Sequence, residues 1–341
     1  MGRVLSTCLY QAGHTQLTLI DKDSPEGRAS PAYIAAGMLA PYCESILGGS
    51  LIYELGRASL SLWQAHLDRL DAGQYYNDRG TLLLAPRGFG SEIAHYLAKI
   101  SFNTGRCDFY SRLDKTELTA VEPDLDFNDA YLLPQEASLN AREVFKLLGQ
   151  NLSAKIIWHS ASLINHVKPD RSIMLKDTLY TFDWVIDCRG LGSQGLLPSL
   201  RGVRGEIIRV HAPEVEISRP VRLFHPRHNI YISPYGRHDY VIGATEIEAE
   251  DYSPVSVKSC LDLIGYACSI HAGFAEARIL ELNSHCRPTL PDNLPQISVQ
   301  NRYISINGLY RHGYLIAPAL AEAVKQYLTA ETKPYPQLWS E

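Results

Sequence analysis

Gly2 and Asp21 are 19 residues apart in the chain, the separation found between the last glycine of a dinucleotide-binding turn and the acid that follows it, which stands about 20 residues on. The chemistry of such a pair is specific. A glycine at a helix start lets the backbone approach a pyrophosphate, whose charge is met by the free N–H groups of the first turn. The acid at the end of the next strand accepts hydrogen bonds from ribose hydroxyls. Gly190 in Arg189-Gly-Leu-Gly-Ser193, and Gly308 and Gly313 in Gly308-Leu-Tyr-Arg-His-Gly313, are further glycines following apolar runs. Gly37 lies in a segment of small residues, Arg28 to Tyr42, where backbone could come close to a flat ligand.

The elements that must position these residues follow from periodicity. Val4, Leu5, Cys8, Leu9 and Ala12 predict a helix that Gly13 can end, and Leu17 to Ile20 predicts a strand directly before Asp21. The strand and two glycines that would complete the turn are expected upstream of Met1. Helices are predicted over 51–70, 92–100, 143–152, 255–272 and 317–328, and strands over 80–85, 183–187 and 303–307. Residues 114–125 read as a polar turn before Glu122-Pro123. Residues 203–245 read as antiparallel strands, at 206–210, 229–233 and 240–243. The fold class expected is α/β: a Rossmann-like domain that the chain leaves and re-enters, with an antiparallel-sheet domain interleaved. The first would hold residues 1–75, 140–202 and 288–341, the second 76–139 and 203–287.

Composition bounds the function. Lys and Arg number 32 against 37 Asp and Glu, for a formal charge of −5, and no basic block occurs. That argues against a nucleic-acid partner. No apolar run approaches the roughly 18 residues of a membrane span, and the N-terminus lacks the layout of a secretion signal. Seven scattered cysteines, an odd number with no C-x-x-C pair, point to reduced thiols in the cytoplasm.

Several motifs, taken in order, resemble those of the FAD-dependent D-amino-acid oxidase superfamily, and most closely the glycine oxidases of thiamine biosynthesis. They are Ala35-Ala-Gly-Met-Leu-Ala-Pro41, Glu122-Pro123, Gly202-Val-Arg-Gly-Glu206, Tyr231-Ile-Ser-Pro234 with Gly243-Ala-Thr-Glu246, Arg287-Pro-Thr-Leu-Pro-Asp292, and Gly308 to Gly313 with Ala317-Pro318. The resemblance runs along nearly the whole chain and departs from the family at its start, where G-x-G-x-x is absent.

The resemblance implies FAD as cofactor, a small amino acid or amine as substrate, and dioxygen as the final oxidant. The substrate becomes an imine, then a 2-oxo acid and ammonia, with hydrogen peroxide as co-product. Arg287 is then the main carboxylate partner, since a guanidinium fork matches a carboxylate and stays charged in a dry site. Arg311 supports it, and the Tyr231 hydroxyl makes a third contact. Met38 packs over substrate or flavin. Gly2, Asp21, Arg28, Ala29, Ser30, Ala36, Gly37, Met38, Gly190, Gly308, Tyr310, Arg311, His312 and Gly313 are the cofactor-side residues, with 28–30 along the diphosphate and ribitol. FAD is expected to bind non-covalently, with a link through Cys286 as the alternative. His228 and His312 could move protons, but neither is assigned a catalytic role. No metal is called for, and a homo-oligomer is expected from the resemblance alone. Alternatives are a sarcosine, proline or D-amino-acid oxidase, the flavin domain of a tRNA-modifying enzyme, and an inactive truncated homologue.

Overall fold

The apolar spacing at the start of the chain forms the helix Gly2–Gln11, which buries Val4, Leu5, Cys8 and Leu9. In the computed structural model, which describes residues 1–341 apart from 87, 165, 166, 168–170, 176, 225–229 and 341, this helix packs on Gly313–Ala330. Both belong to a unit made of residues 1–33, 142–202 and 287–341; the second unit holds 34–141 and 203–286. Residues 34–75 therefore fall in the second unit, where the sequence reading placed them in the first. They pair and pack there: Met38–Leu39 is antiparallel to Ala137–Leu139, and the helix Pro41–Asp68 lies on Gly90–Thr104.

The first unit contains two parallel strand pairs. Thr18–Ile20 pairs with Ile157–His159, and Val185–Asp187 pairs with Tyr303–Asn307. The last of these strands is buried along its whole length, as expected of a strand covered on both faces. It continues antiparallel to Gln296–Gln300, which in turn meets Trp339–Ser340.

The second unit is built on an eight-stranded sheet in the order Arg278–Thr289, Arg201–His211, Asp239–Gly243, Ile230–Gly236, Val221–Leu223, Thr81–Leu84, Ala130–Leu133, Ser111–Leu113. Alternation along the strands divides its faces. Leu82, Leu84, Ile208, Val210, Ile232 and Ile242 pack with Leu263, Ala267 and Ile270 of the helix Val257–Ile270. On the other face Leu83 and Leu133 meet Ile93, Leu97 and Ile100 of Gly90–Thr104, with Tyr42 and Cys43.

The structure differs from the sequence reading in physically simple ways. Val221–Leu223 pairs parallel to Thr81–Leu84, because these neighbours are joined by a long excursion and no hairpin constrains their direction. The helix read from Leu51 begins at Pro41 and kinks at Gly49; proline suits a first helical turn, where its missing N–H has no helical partner. The stretch read as a turn over 114–125 contains the helix Lys115–Val121, started by a capping box. The Asp114 carboxylate accepts Glu117 N–H and the Glu117 carboxylate accepts Asp114 N–H, each at 2.9 Å. Strands Arg278–Thr289 and Gln296–Gln300 were not anticipated. No helix among the described residues is long and apolar enough to cross a membrane.

The Glu-Pro corner has a mechanical role. Buried Glu122 accepts Arg219 Nε at 2.7 Å, Ser218 N at 3.1 Å and the Ser218 hydroxyl. Arg219 also donates to the carbonyls of Arg79 and Val121. One carboxylate thus ties the end of a helix to the entry of a sheet strand. Glu122→Ala would leave Arg219 buried without its charge partner and is expected to cost about 3–5 kcal/mol, read as a lowered denaturant midpoint. A midpoint equal to wild type would show that the corner is held by other contacts.

Candidate active site

In the first unit, two glycine loops meet Pro288 of the strand Arg278–Thr289 at the carboxyl end of the parallel pair Val185–Asp187 and Tyr303–Asn307. Open α/β sheets take their ligands at this edge. The first loop turns at Gly190 and the second at Gly308, with φ of 57° and 73°; glycine is the residue that adopts such angles without cost. A Cβ at Gly308 would stand 2.7 Å from Leu290 Cδ1 and 2.8 Å from the Leu294 carbonyl, and one at Gly190 would stand 3.3 Å from Pro288 Cγ. Pro288 therefore lies against the Gly190 turn, and its carbonyl accepts Tyr310 N–H at 3.0 Å. The adjoining Arg287, half-buried near the end of Arg278–Thr289, is anchored to the same cluster. Buried Tyr310 packs edge-on against His312, at 5.6 Å between ring centroids. His312 is the cap residue of Gly313–Ala330, and a Cβ at Gly313 would meet no protein atom within 4 Å.

Asp187 holds the first loop. Its carboxylate accepts Arg189 N, Nε and Nη2 at 3.0, 3.0 and 2.7 Å, Ser193 Oγ at 3.0 Å and Tyr303 Oη at 2.6 Å. Burial pushes this carboxyl up, but the bonds from Arg189 and Tyr303 and the Arg189 charge outweigh it and hold it below the ordinary range.

The nucleotide side of the same unit follows the predicted order of helix, strand and acid. Gly2 opens its helix. Asp21 follows Thr18–Ile20, its carboxylate accepting Asp23 N–H at 3.0 Å. Asp23, which the sequence reading passed over, accepts the N–H of Ala29 at 2.7 Å and so fixes the 28–30 loop. Arg28 and Ala29 are exposed, and the Ser30 hydroxyl accepts Ala32 N–H at the start of Pro31–Ile34. A helix starting on glycine, an acid after the strand and two glycine turns at the carboxyl edge fit a dinucleotide.

In the second unit, Tyr231 and Gly243 face each other across neighbouring strands, and Gly243 faces Ile207 beyond. A Cβ at position 243 would come within 2.8 Å of Tyr231 Oη and 2.9 Å of Ile207 Cγ2. The glycine of G-A-T thus makes room for the tyrosine of Y-I-x-P. Along the same strand, Ser233 Oγ donates to the Ala36 carbonyl at 3.2 Å and Tyr235 Oη to the Ala35 carbonyl at 3.0 Å. Gly37 closes tightly on the Leu139 carbonyl, and Met38 follows in strand register with Ser138. Ala36, Met38 and Tyr231 are therefore brought together on one face.

Sequence reasoning missed the neighbour of Tyr231 on its other side. Arg222, paired with it in register, is buried and donates through Nη2 to Glu44 Oε1 at 2.6 Å. Burial alone would favour the neutral guanidine; the Glu44 charge outweighs that and keeps Arg222 cationic. Cys286 is buried with its thiol 3.4 Å from the Asp251 carbonyl, and burial raises it above an ordinary thiol. That is the setting of a protonated structural cysteine. His228 lies outside the described residues.

Two measurements probe this geometry. Gly243→Ala must displace the Tyr231 ring and is expected to cost about 1–3 kcal/mol by overpacking. Tyr231→Ala combined with Gly243→Ala should cost less than the sum of the two, since the clash with the tyrosine is gone and only that with Ile207 remains; strict additivity in denaturant melts would contradict the contact. For Asp187, a folded pKa below the unfolded one stabilises the chain above the ordinary carboxylate range, and the contribution is lost as pH falls through the folded value. Asp187→Asn should therefore lower stability at pH 7, and the gap to wild type should narrow as the medium becomes more acid. A gap independent of pH would rule out this source of stability.

The sequence model of the family described as FAD dependent oxidoreductase matches residues 5–327. A protein of Rhizobium etli that bears the name of a thiamine biosynthesis oxidoreductase, ThiO, is 35% identical over 336 residues, covering 98% of this chain and 95% of that one. Glycine oxidase from Geobacillus kaustophilus superposes with a TM-score of 0.80 at 20% identity, over 95% of this chain and 90% of that one. Glycine oxidase from Bacillus cereus gives 0.83 at 17% identity, over 98% and 93%. These two structures share the fold. The chain belongs to the family of FAD dependent oxidoreductases.

Proposed function

We propose that this enzyme oxidises glycine or another small amino acid between its α-carbon and its nitrogen, giving an imine that water converts to a 2-oxo acid and ammonia. FAD, when bound, supplies the acceptor for the hydride and passes the electrons to dioxygen as hydrogen peroxide. The observation that carries the reading is the attachment of Arg287 to the glycine-turn cluster through Pro288, which rests on the Gly190 turn and accepts Tyr310 N–H. A guanidinium fixed there would bind the substrate carboxylate with the α-carbon toward the cofactor ring. Orientation of this kind supplies much of the rate in such a reaction. Arg311, on the 308–313 loop of the same unit, would support the same carboxylate.

Kinship to the ThiO-named protein supports a role in thiamine biosynthesis, and the motif resemblance to glycine oxidases supports glycine as the substrate and thiazole formation as its use. Seven free cysteines, none of them in a disulfide, support work in a reducing cytoplasm.

The deciding experiment is the visible spectrum of the purified chain before and after anaerobic glycine. Bleaching of the flavin bands is expected; a flavin spectrum unmoved by glycine but bleached by sarcosine or a D-amino acid would reassign the substrate. Arg287→Lys should raise KM for the amino acid roughly 10- to 100-fold, the worth of one to two charge-assisted bonds. An unchanged KM would remove Arg287 from the site.

A further inference from the structure

Asn307 ends the strand Tyr303–Asn307, and its side chain touches both glycine turns. Nδ2 donates to the Gly190 carbonyl at 3.0 Å, and Oδ1 accepts Gly308 N–H at 2.9 Å. The residue is 1% exposed, so water does not compete for either bond. The two turns leave adjacent parallel strands, and this side chain bridges them. A primary amide is well suited to such a bridge, because it offers a donor and an acceptor on separate atoms and brings no charge into a buried place. The strand itself does not need it, since the pairing of Asn307 with Gln296 belongs to the backbone ladder.

We propose that Asn307 is a positioning residue for the cofactor: its amide locks the Gly190 and Gly308 turns in one relative geometry and so sets the surface on which the FAD ring is seated. Asp187 fixes the first turn from below through Arg189 and Ser193, and Pro288 fixes the loop of Tyr310. Asn307 adds a direct side-chain link between the two turns, which Pro288 also joins by packing on the Gly190 turn and accepting Tyr310 N–H. The inference rests on the FAD reading above and goes beyond it, because it assigns the fit of the site to a residue outside the glycine motifs.

The test is titration of FAD into the full-length apoprotein of each variant, followed by flavin fluorescence, with the midpoint potential of the bound flavin as a second readout. Asn307→Ala is expected to weaken FAD binding about tenfold and to shift the potential. Ile306→Val, a buried trim on the same strand, serves as the stability control and should leave both unchanged. Asn307→Asp keeps the acceptor for Gly308 N–H but loses the donor to Gly190. Its carboxyl regains a donor when protonated, so its FAD affinity should recover as pH falls relative to wild type. Asn307→Ala with FAD affinity within twofold of wild type would overturn the proposal, and so would equal weakening in Ile306→Val. If Asn307→Ala fails to fold, a flat pH response of Asn307→Asp relative to wild type overturns it instead. A wild-type chain that takes up no flavin would be a different failure, that of the cofactor reading itself.

Discussion

A single buried carboxylate carries much of the first unit. Asp187 sits at the end of the strand Val185–Asp187 and satisfies its charge with donors from Arg189, Ser193 and Tyr303. A buried carboxylate without such partners would be prohibitively costly. Its donors therefore fix their elements: Tyr303 the start of the neighbouring strand, Ser193 and Arg189 the turn around Gly190. Arg189 reaches on to the Ile164 carbonyl. The geometry of the carboxyl edge of this sheet is thus inherited from the desolvation of one side chain.

The second unit solves a comparable problem with space. Tyr231 can lean over the sheet because position 243 has no side chain, and the tyrosine hydroxyl of residue 235 and the serine hydroxyl of residue 233 hold two successive carbonyls of the 35–38 segment. The face that carries Tyr231 also carries Arg222, Leu83 and Tyr131 in one unbroken row of register partners. Polar and apolar side chains mix along that row, and the Arg222–Glu44 pair is its charged member. Breaking one partner of such a pair leaves an uncompensated buried charge, so the row tolerates little change in polarity.

What could be read from the sequence was local. The spacing of Gly2 and Asp21, the apolar period of the first helix and the largely apolar run before Gly308 are short-range signals, and the elements formed as those signals imply. Contacts across the chain were illegible. The motifs holding Tyr231 and Gly243 were both recognisable, yet that one makes room for the other depends on hairpin register. Glu44 and Arg222 meet over 178 positions of sequence, and nothing in either neighbourhood announces a buried pair. Asn307 sat one residue before a recognised motif; a polar residue closing an apolar strand was the available signal. Arg278–Thr289 escaped because its burial does not alternate, so the period-two test had nothing to find. Asp114 and Glu117 did form a capping-box pattern, and the composition of the segment drew attention away from it.

The packing of Gly2–Gln11 against Gly313–Ala330 also has a consequence for biosynthesis. In order of synthesis, Gly2–Gln11 has its partner some three hundred residues downstream. At roughly 5–20 residues per second, that partner arrives about 15–60 s later. Throughout that interval Val4, Leu5 and Leu9 have no helix to cover them, and the strand of Asp187 lacks its parallel neighbour until Tyr303–Asn307 emerges. The second unit is finished at residue 286, so it can close first. The first unit cannot be completed until its last segment, 287–341, has been made.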